Sequence, residues 1–125
     1  MAGSNEQVVR DFCEAWSRKD ADELLAFFTD DAVYHNLPMA PVQGKEAIRQ
    51  VFGFFLPPSE TIEFEMLHLA VAGDVVFTER IDRFRMGGRV VELPVAGVFE
   101  MQGGRIRAWR DYFDMNVFAT QMAAL

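Results

Sequence analysis

The first half of the chain shows apolar positions at helical spacing. Val8, Val9, Phe12, Ala15 and Trp16 form a stripe behind Ser4 and Gln7, which have the spacing of a capping box. Asp20 and Glu23 repeat that cue ahead of Leu24, Leu25 and Phe28, predicting a second, shorter helix. A short strand is expected over 33–36. Two prolines and a glycine within 38–44 predict a loop. Ile48, Val51, Phe52 and Phe55 then predict a helix over 45–56, stopped by Pro57-Pro58.

The second half reads as strands near 60–72, 74–86, 89–101 and 104–113. Gly73-Asp74, Gly87-Gly88 and Gly103-Gly104 are the breaks between them. A last helix is expected over about 116–123. Long strands with short connections imply an antiparallel meander. The pattern predicts an α+β domain spanning 1–125. Its strongly curved mixed β-sheet carries N-terminal helices on one face, and the two enclose a cone-shaped apolar pocket suited to a small ligand.

Charge narrows the function classes. Across 125 residues, 12 Lys and Arg face 19 Asp and Glu, a net charge of −7. So acidic a chain argues against nucleic acid and against anionic membrane surfaces as partners. No apolar run approaches the roughly 20 residues of a membrane span. The start, Met-Ala-Gly-Ser-Asn-Glu, is neither basic nor followed by an apolar segment, so no signal peptide is expected and the cytoplasm is the default location. One cysteine excludes an internal disulfide framework, and two histidines leave little for a His-based metal site. The 12 Phe and 7 Met fill a core or line a pocket; composition does not choose.

Several polar residues do not fit a plain core. Strand residues two apart share a face, so Thr78, Arg80, Asp82 and Phe84 lie together. In the final strand Arg105, Arg107, Trp109, Asp111 and Phe113 share one face, which sets Asp111 between two aromatic rings. If Gly87-Gly88 is a two-residue hairpin loop, Asp82 lies opposite Leu93 and Arg80 opposite Val95. A three-residue loop, 102–104, would pair Met101 with Arg105 and set Val95 against Asp111 and Leu93 against Phe113. Arg80, Val95 and Asp111 would then form one row. A two-residue loop would turn Asp111 to the opposite face.

If the row forms, Asp82, Arg80 and Asp111 share a pocket lined by Phe84, Leu93, Val95 and Phe113. Burial favours a neutral cluster, with one proton between the two acids. A protonated and an ionised carboxyl form an acid–base pair suited to opening a strained ring or moving a proton. The Arg80 fork is the natural bridge. Acid–Arg pairs on neighbouring strands are also common as solvated salt bridges, and the pattern leaves both readings open. Tyr34 and Asn36 share a strand face and fit an edge-and-turn pair as well as a site. His35 reads as surface or interface, His68 as a partly buried, satisfied histidine, and Cys13 as a small core residue. There is no phosphate loop, nucleophile elbow or zinc spacing.

Three motifs, Tyr34-His-Asn36-Leu-Pro, Glu79-Arg80-Ile-Asp82 and Trp109-Arg-Asp111-Tyr-Phe-Asp114, resemble those of limonene-1,2-epoxide hydrolases, in the same order and over nearly the whole chain. The wider superfamily is similar to nuclear transport factor 2 and ketosteroid isomerase and hosts many activities. The resemblance implies one-step addition of water to a small apolar epoxide, alicyclic or aryl, with no covalent intermediate, metal or cofactor. It implies Asp111 as base, Tyr34 and Asn36 as water holders, Asp82 as acid and Arg80 as the bridge between the acids. Phe55 and Phe118 join the pocket residues that tune substrate size. A homodimer through the sheet, with Val98 among its apolar residues, is implied too. A ketosteroid-isomerase-like or cyclase-like proton-transfer enzyme and a non-catalytic ligand-binding module share the fold class and stay as alternatives.

Overall fold

The computed structural model describes residues 4–125, so the reading of the first three residues falls outside it. Helix α1 spans Asn5–Ala15 and runs into a 3₁₀ turn, Trp16–Arg18. The Ser4 side chain caps α1 by accepting from the Gln7 amide at 3.2 Å. Asp20 caps the short α2, Ala21–Leu25, by accepting from the amides of Asp22 and Glu23. Strand β1 follows at Phe28–Asn36, β2 at Val42–Gln43 and helix α3 at Lys45–Phe52. Then come β3 at Thr61–Ala72, β4 at Val75–Met86, β5 at Arg89–Gln102 and β6 at Arg105–Tyr112. Asp114 caps the last helix, α4, Met115–Ala123.

The expected meander forms as β3-β4-β5-β6. Strand β1 adds parallel to β6 and β2 antiparallel to β1, giving one curved, open sheet of six strands in the order β2-β1-β6-β5-β4-β3. The fold is α+β, as predicted. Among the described residues no helix is long and apolar enough to cross a membrane.

Three boundaries differ from the pattern. Strand β1 begins at Phe28, which was expected on the second helix, because the polar run Thr29-Asp30-Asp31 hides a strand whose pairing shifts between Phe28 and Val33. The proline-rich stretch contains the two-residue β2. Helix α3 stops at Phe52. Gly53 is a poor helix residue, and Phe54 and Phe55 donate to the carbonyls of Val51 and Phe52, three residues back, which tightens the chain into turns.

The helices pack on the inner sheet face over a core rich in rings. Phe12 meets Trp16, Phe27, Phe28, Phe99 and Trp109 edge-on, at centroid distances of 5.0–6.2 Å. Cys13 is buried in this core, as expected, and burial pushes its thiol up to about 12 against the pull of Arg80. His68 is exposed rather than partly buried. A bulge between Met66 and His68 breaks the alternation that placed it inside, and its Nδ1 lies 2.8 Å from Glu79 Oε1. His35 is half-buried, with the Met39 carbonyl accepting from its Nε2 at 2.8 Å.

Candidate active site

Strand β4 carries Arg80 and Asp82 on the inner face, opposite Val95 and Leu93 of β5 as predicted. The β5–β6 register does not follow the prediction. The loop has two residues, pairing Gln102 with Arg105 and Met101 with Ile106. That register alone would turn Asp111 outward. One extra residue, Arg107, then bulges between Ile106 and Ala108, so Glu100 faces Ala108 and Gly97 faces Asp111. The bulge restores the inward aim of Trp109 and Asp111 and leaves Arg105 and Arg107 exposed. The row across the three strands is therefore Thr78, Gly97, Asp111, with Arg80 two pairs along. Val95 does not face Asp111.

Gly97 makes this arrangement possible. A Cβ there would overlap the Arg80 guanidinium and lie 2.8 Å from both Asp111 Oδ1 and Thr78 Oγ1. The guanidinium crosses the gap and bonds both acids. Its Nε and Nη2 donate to Asp82 Oδ1 and Oδ2 at 3.0 and 2.8 Å, and its Nη1 and Nη2 donate to Asp111 Oδ1 and Oδ2 at 3.2 and 2.8 Å. Nη1 also donates to Thr78 Oγ1 at 3.1 Å. The Phe64 ring lies 5.0 Å from the guanidinium carbon.

Arg80 is 0% exposed and each Asp 4%. Two carboxylates and one guanidinium in so dry a site leave one negative charge unbalanced, which favours a retained proton. Burial accordingly raises Asp82 to about 6, against the opposing pull of Arg80. Burial also works against the Arg80 charge, but the two acids outweigh it and hold the guanidinium well above its ordinary range. Strand β1 brings Tyr34 beside Trp109 and Asn36 beside Asp111. Tyr34 donates to Asn36 Oδ1 at 3.2 Å, and burial, reinforced by the Asp111 charge, pushes its phenol upward so that it stays neutral.

Asp82, Asp111, Tyr34 and Asn36 line a cavity of about 30 Å³ together with Phe55, Phe84, Leu93, Val95, Phe113 and Phe118. Arg80 lies behind that wall. An outer pocket of about 340 Å³ shares Tyr34, Asn36, Met39, Phe55 and Phe118 with the inner cavity. These five residues stand at the junction of the two spaces.

Residues 3–123 match the family described as limonene-1,2-epoxide hydrolase catalytic domain. The chain belongs to this family. It is 34% identical over 110 residues to the epoxide hydrolase EphG of Mycobacterium tuberculosis, a match covering 86% of this chain and 72% of that protein. Its fold is similar to that of an M. tuberculosis epoxide hydrolase of the same type, with a TM-score of 0.83, 29% identity, and coverage of 96% and 90% of the two chains. A SnoaL-like polyketide cyclase from Shewanella putrefaciens superposes over the whole of both chains with a TM-score of 0.85, and at 16% identity it shows the shared fold alone.

Sequence reasoning missed several contributors to the site, among them Met39 at the junction of the two spaces. Trp16, which spacing had marked only as an apolar position, and Phe64 line the cavity and stack on each other at 4.8 Å. The buried Trp16 Nε1 has no hydrogen-bond partner among the described residues. Gly97 carried no signal, because a glycine inside a strand names no neighbour. Trp109 was recognised as a ring beside Asp111, but its Nε1 also donates to Asp111 Oδ1 at 2.7 Å.

Proposed function

We propose that this chain is an epoxide hydrolase that adds water to a small apolar epoxide in one step. The observation that carries the reading is Arg80, fully buried and bridging two buried carboxyls at the wall of a cavity. An epoxide stores ring strain, so a placed water, a base and an acid are sufficient to open it without a covalent nucleophile. Asp111 is ionised and takes a proton from a water held beside Tyr34 and Asn36. The water oxygen attacks one epoxide carbon as that carbon–oxygen bond breaks. Asp82 gives its proton to the departing ring oxygen, and a vicinal diol results. Both carboxyls end with exchanged protonation, and transfer of a proton back to Asp82 resets the pair.

The cavity geometry supports a substrate class. The inner space suits a water and the reacting oxygen, and the apolar outer pocket suits an alicyclic or aryl skeleton. Diol formation from a panel of such epoxides tests the reading, with Asp111→Asn and Asp82→Asn as variants. Diol from the wild type, lost in both folded variants, is expected. No diol above the buffer rate from any member of the panel would overturn the proposal, and ketosteroid isomerisation would then be assayed.

A further inference from the structure

The two acids are held almost symmetrically. One guanidinium gives each carboxylate two hydrogen bonds, at 3.0 and 2.8 Å to Asp82 and at 3.2 and 2.8 Å to Asp111. Both acids are equally buried. Arg80 alone therefore gives no reason for the shared proton to sit on one rather than the other. A proton on Asp111 would leave neither base nor acid in place.

One contact breaks the symmetry. Trp109 Nε1 donates to Asp111 Oδ1 at 2.7 Å, and no such third donor reaches Asp82 among the described residues. We propose that Trp109 is a positioning residue that assigns the roles of the two acids: its indole N–H favours Asp111 as the ionised partner and leaves the proton to Asp82. This inference rests on the hydrolase reading above.

The geometry adds a second consequence. Oδ1 of Asp111 accepts from both Trp109 and Arg80, whereas Oδ2 accepts from Arg80 alone. With two acceptor sites per carboxylate oxygen, Oδ2 keeps the free one. Trp109 thus selects which oxygen serves as base. The ring itself is clamped, stacked on Tyr34 at 4.4 Å and on Phe99 at 5.4 Å, with Phe12 edge-on at 5.0 Å. It links the orientation of Tyr34 to that of Asp111. The other titratable groups facing the pair are Arg80, Tyr34 and Cys13. Arg80 stays charged and the other two stay neutral near pH 7, so none of them supplies the asymmetry.

The test replaces Trp109 site-specifically with its benzothiophene analogue, which keeps the ring and exchanges N–H for sulfur. Trp109→Phe serves as a companion variant; the analogue keeps the test open if the smaller ring fails to fold. In the folded analogue kcat should fall about 10- to 100-fold with KM changed little. The donor serves ionised Asp111 both before and after the last proton leaves Asp82, so the alkaline fall of the rate should move by no more than about 0.3 pH unit. What the analogue should change is where the shared proton sits. A merely structural role would lower the rate without changing how the proton is shared. Wild-type kcat in the folded analogue would overturn the proposal. Carbon-13 titration of the Asp carboxyls gives a readout that needs no turnover. While the pair still holds its last proton, at about pH 5, the protonated-carboxyl signal should be confined to Asp82 in the wild type and divided between Asp82 and Asp111 in the analogue. An unchanged distribution overturns the proposal even if the chain hydrolyses no epoxide.

Discussion

The guanidinium of Arg80 occupies the space that a side chain on Gly97 would fill. Gly97 is not among the residues of positive φ, so space rather than backbone conformation demands a glycine there. Gly97→Ala should push Arg80 off one or both acids, leaving buried charge imperfectly paired. The expected cost is about 3 kcal/mol of stability and about 100-fold or more in diol formation. Denaturant midpoints and initial rates check this. An alanine variant with wild-type values for both would show that Arg80 has slack the geometry denies.

Asp82 makes stability depend on pH with a definite sign. Its folded value, about 6, lies above its ordinary 3.8. The folded state therefore favours the proton. This contribution is fully present below about pH 4 and is lost as pH rises through about 6. The difference corresponds to about 3 kcal/mol. Asp82→Asn mimics the protonated form and escapes that loss. Its stability relative to wild type should rise by about this amount between pH 4 and pH 7 in denaturant titrations. A constant difference across that window would mean that Asp82 is ionised throughout.

The same proton sets the rate. A general acid must be protonated, so kcat/KM for an epoxide should fall about tenfold per pH unit above about pH 6. A pH–rate profile in buffers of constant ionic strength reads this limb. A flat profile from about pH 5 to 8 would mean that the catalytic acid does not titrate in that window, against an Asp82 that ionises at about 6.

Period-two alternation and glycine breaks made the meander legible, and the Gly87-Gly88 turn fixed the pairs Asp82–Leu93 and Arg80–Val95. The next hairpin was not legible in the same way. Pattern reading moved Asp111 inward by lengthening the loop, whereas the chain keeps a two-residue loop and bulges at Arg107. Both devices restore the same parity, so face was recovered and partner was not. Bulges leave little trace in composition, which also explains the misplacement of His68. The parallel β1–β6 pairing sets Asn36 beside Asp111 through a contact 75 residues apart in sequence, which local spacing does not reveal. Only the resemblance joined those motifs beforehand.

Substrate size should be set where the two cavities meet. The inner space of about 30 Å³ is too small for a ring system, whereas the outer pocket of about 340 Å³ lies in the range of ligand pockets. A skeleton in the outer pocket must reach the carboxyls between Met39, Phe55 and Phe118. Phe55 and Phe118 pack against each other at 6.3 Å, and both are half-buried. Phe118→Ala should join the two spaces. Because the ring is only half-buried, the stability cost should be about 1–2 kcal/mol rather than the 3–5 of a fully buried phenylalanine. The ratio of kcat/KM for bulky against small epoxides should rise about tenfold, chiefly through KM for the bulky substrates. The small epoxides should lose kcat, because a wider cavity holds them and the attacking water less firmly. Steady-state kinetics on a size-graded series checks both effects. An unchanged ratio in a folded variant would mean that the skeleton enters by another path, and the junction residues would then belong to the core rather than to selectivity.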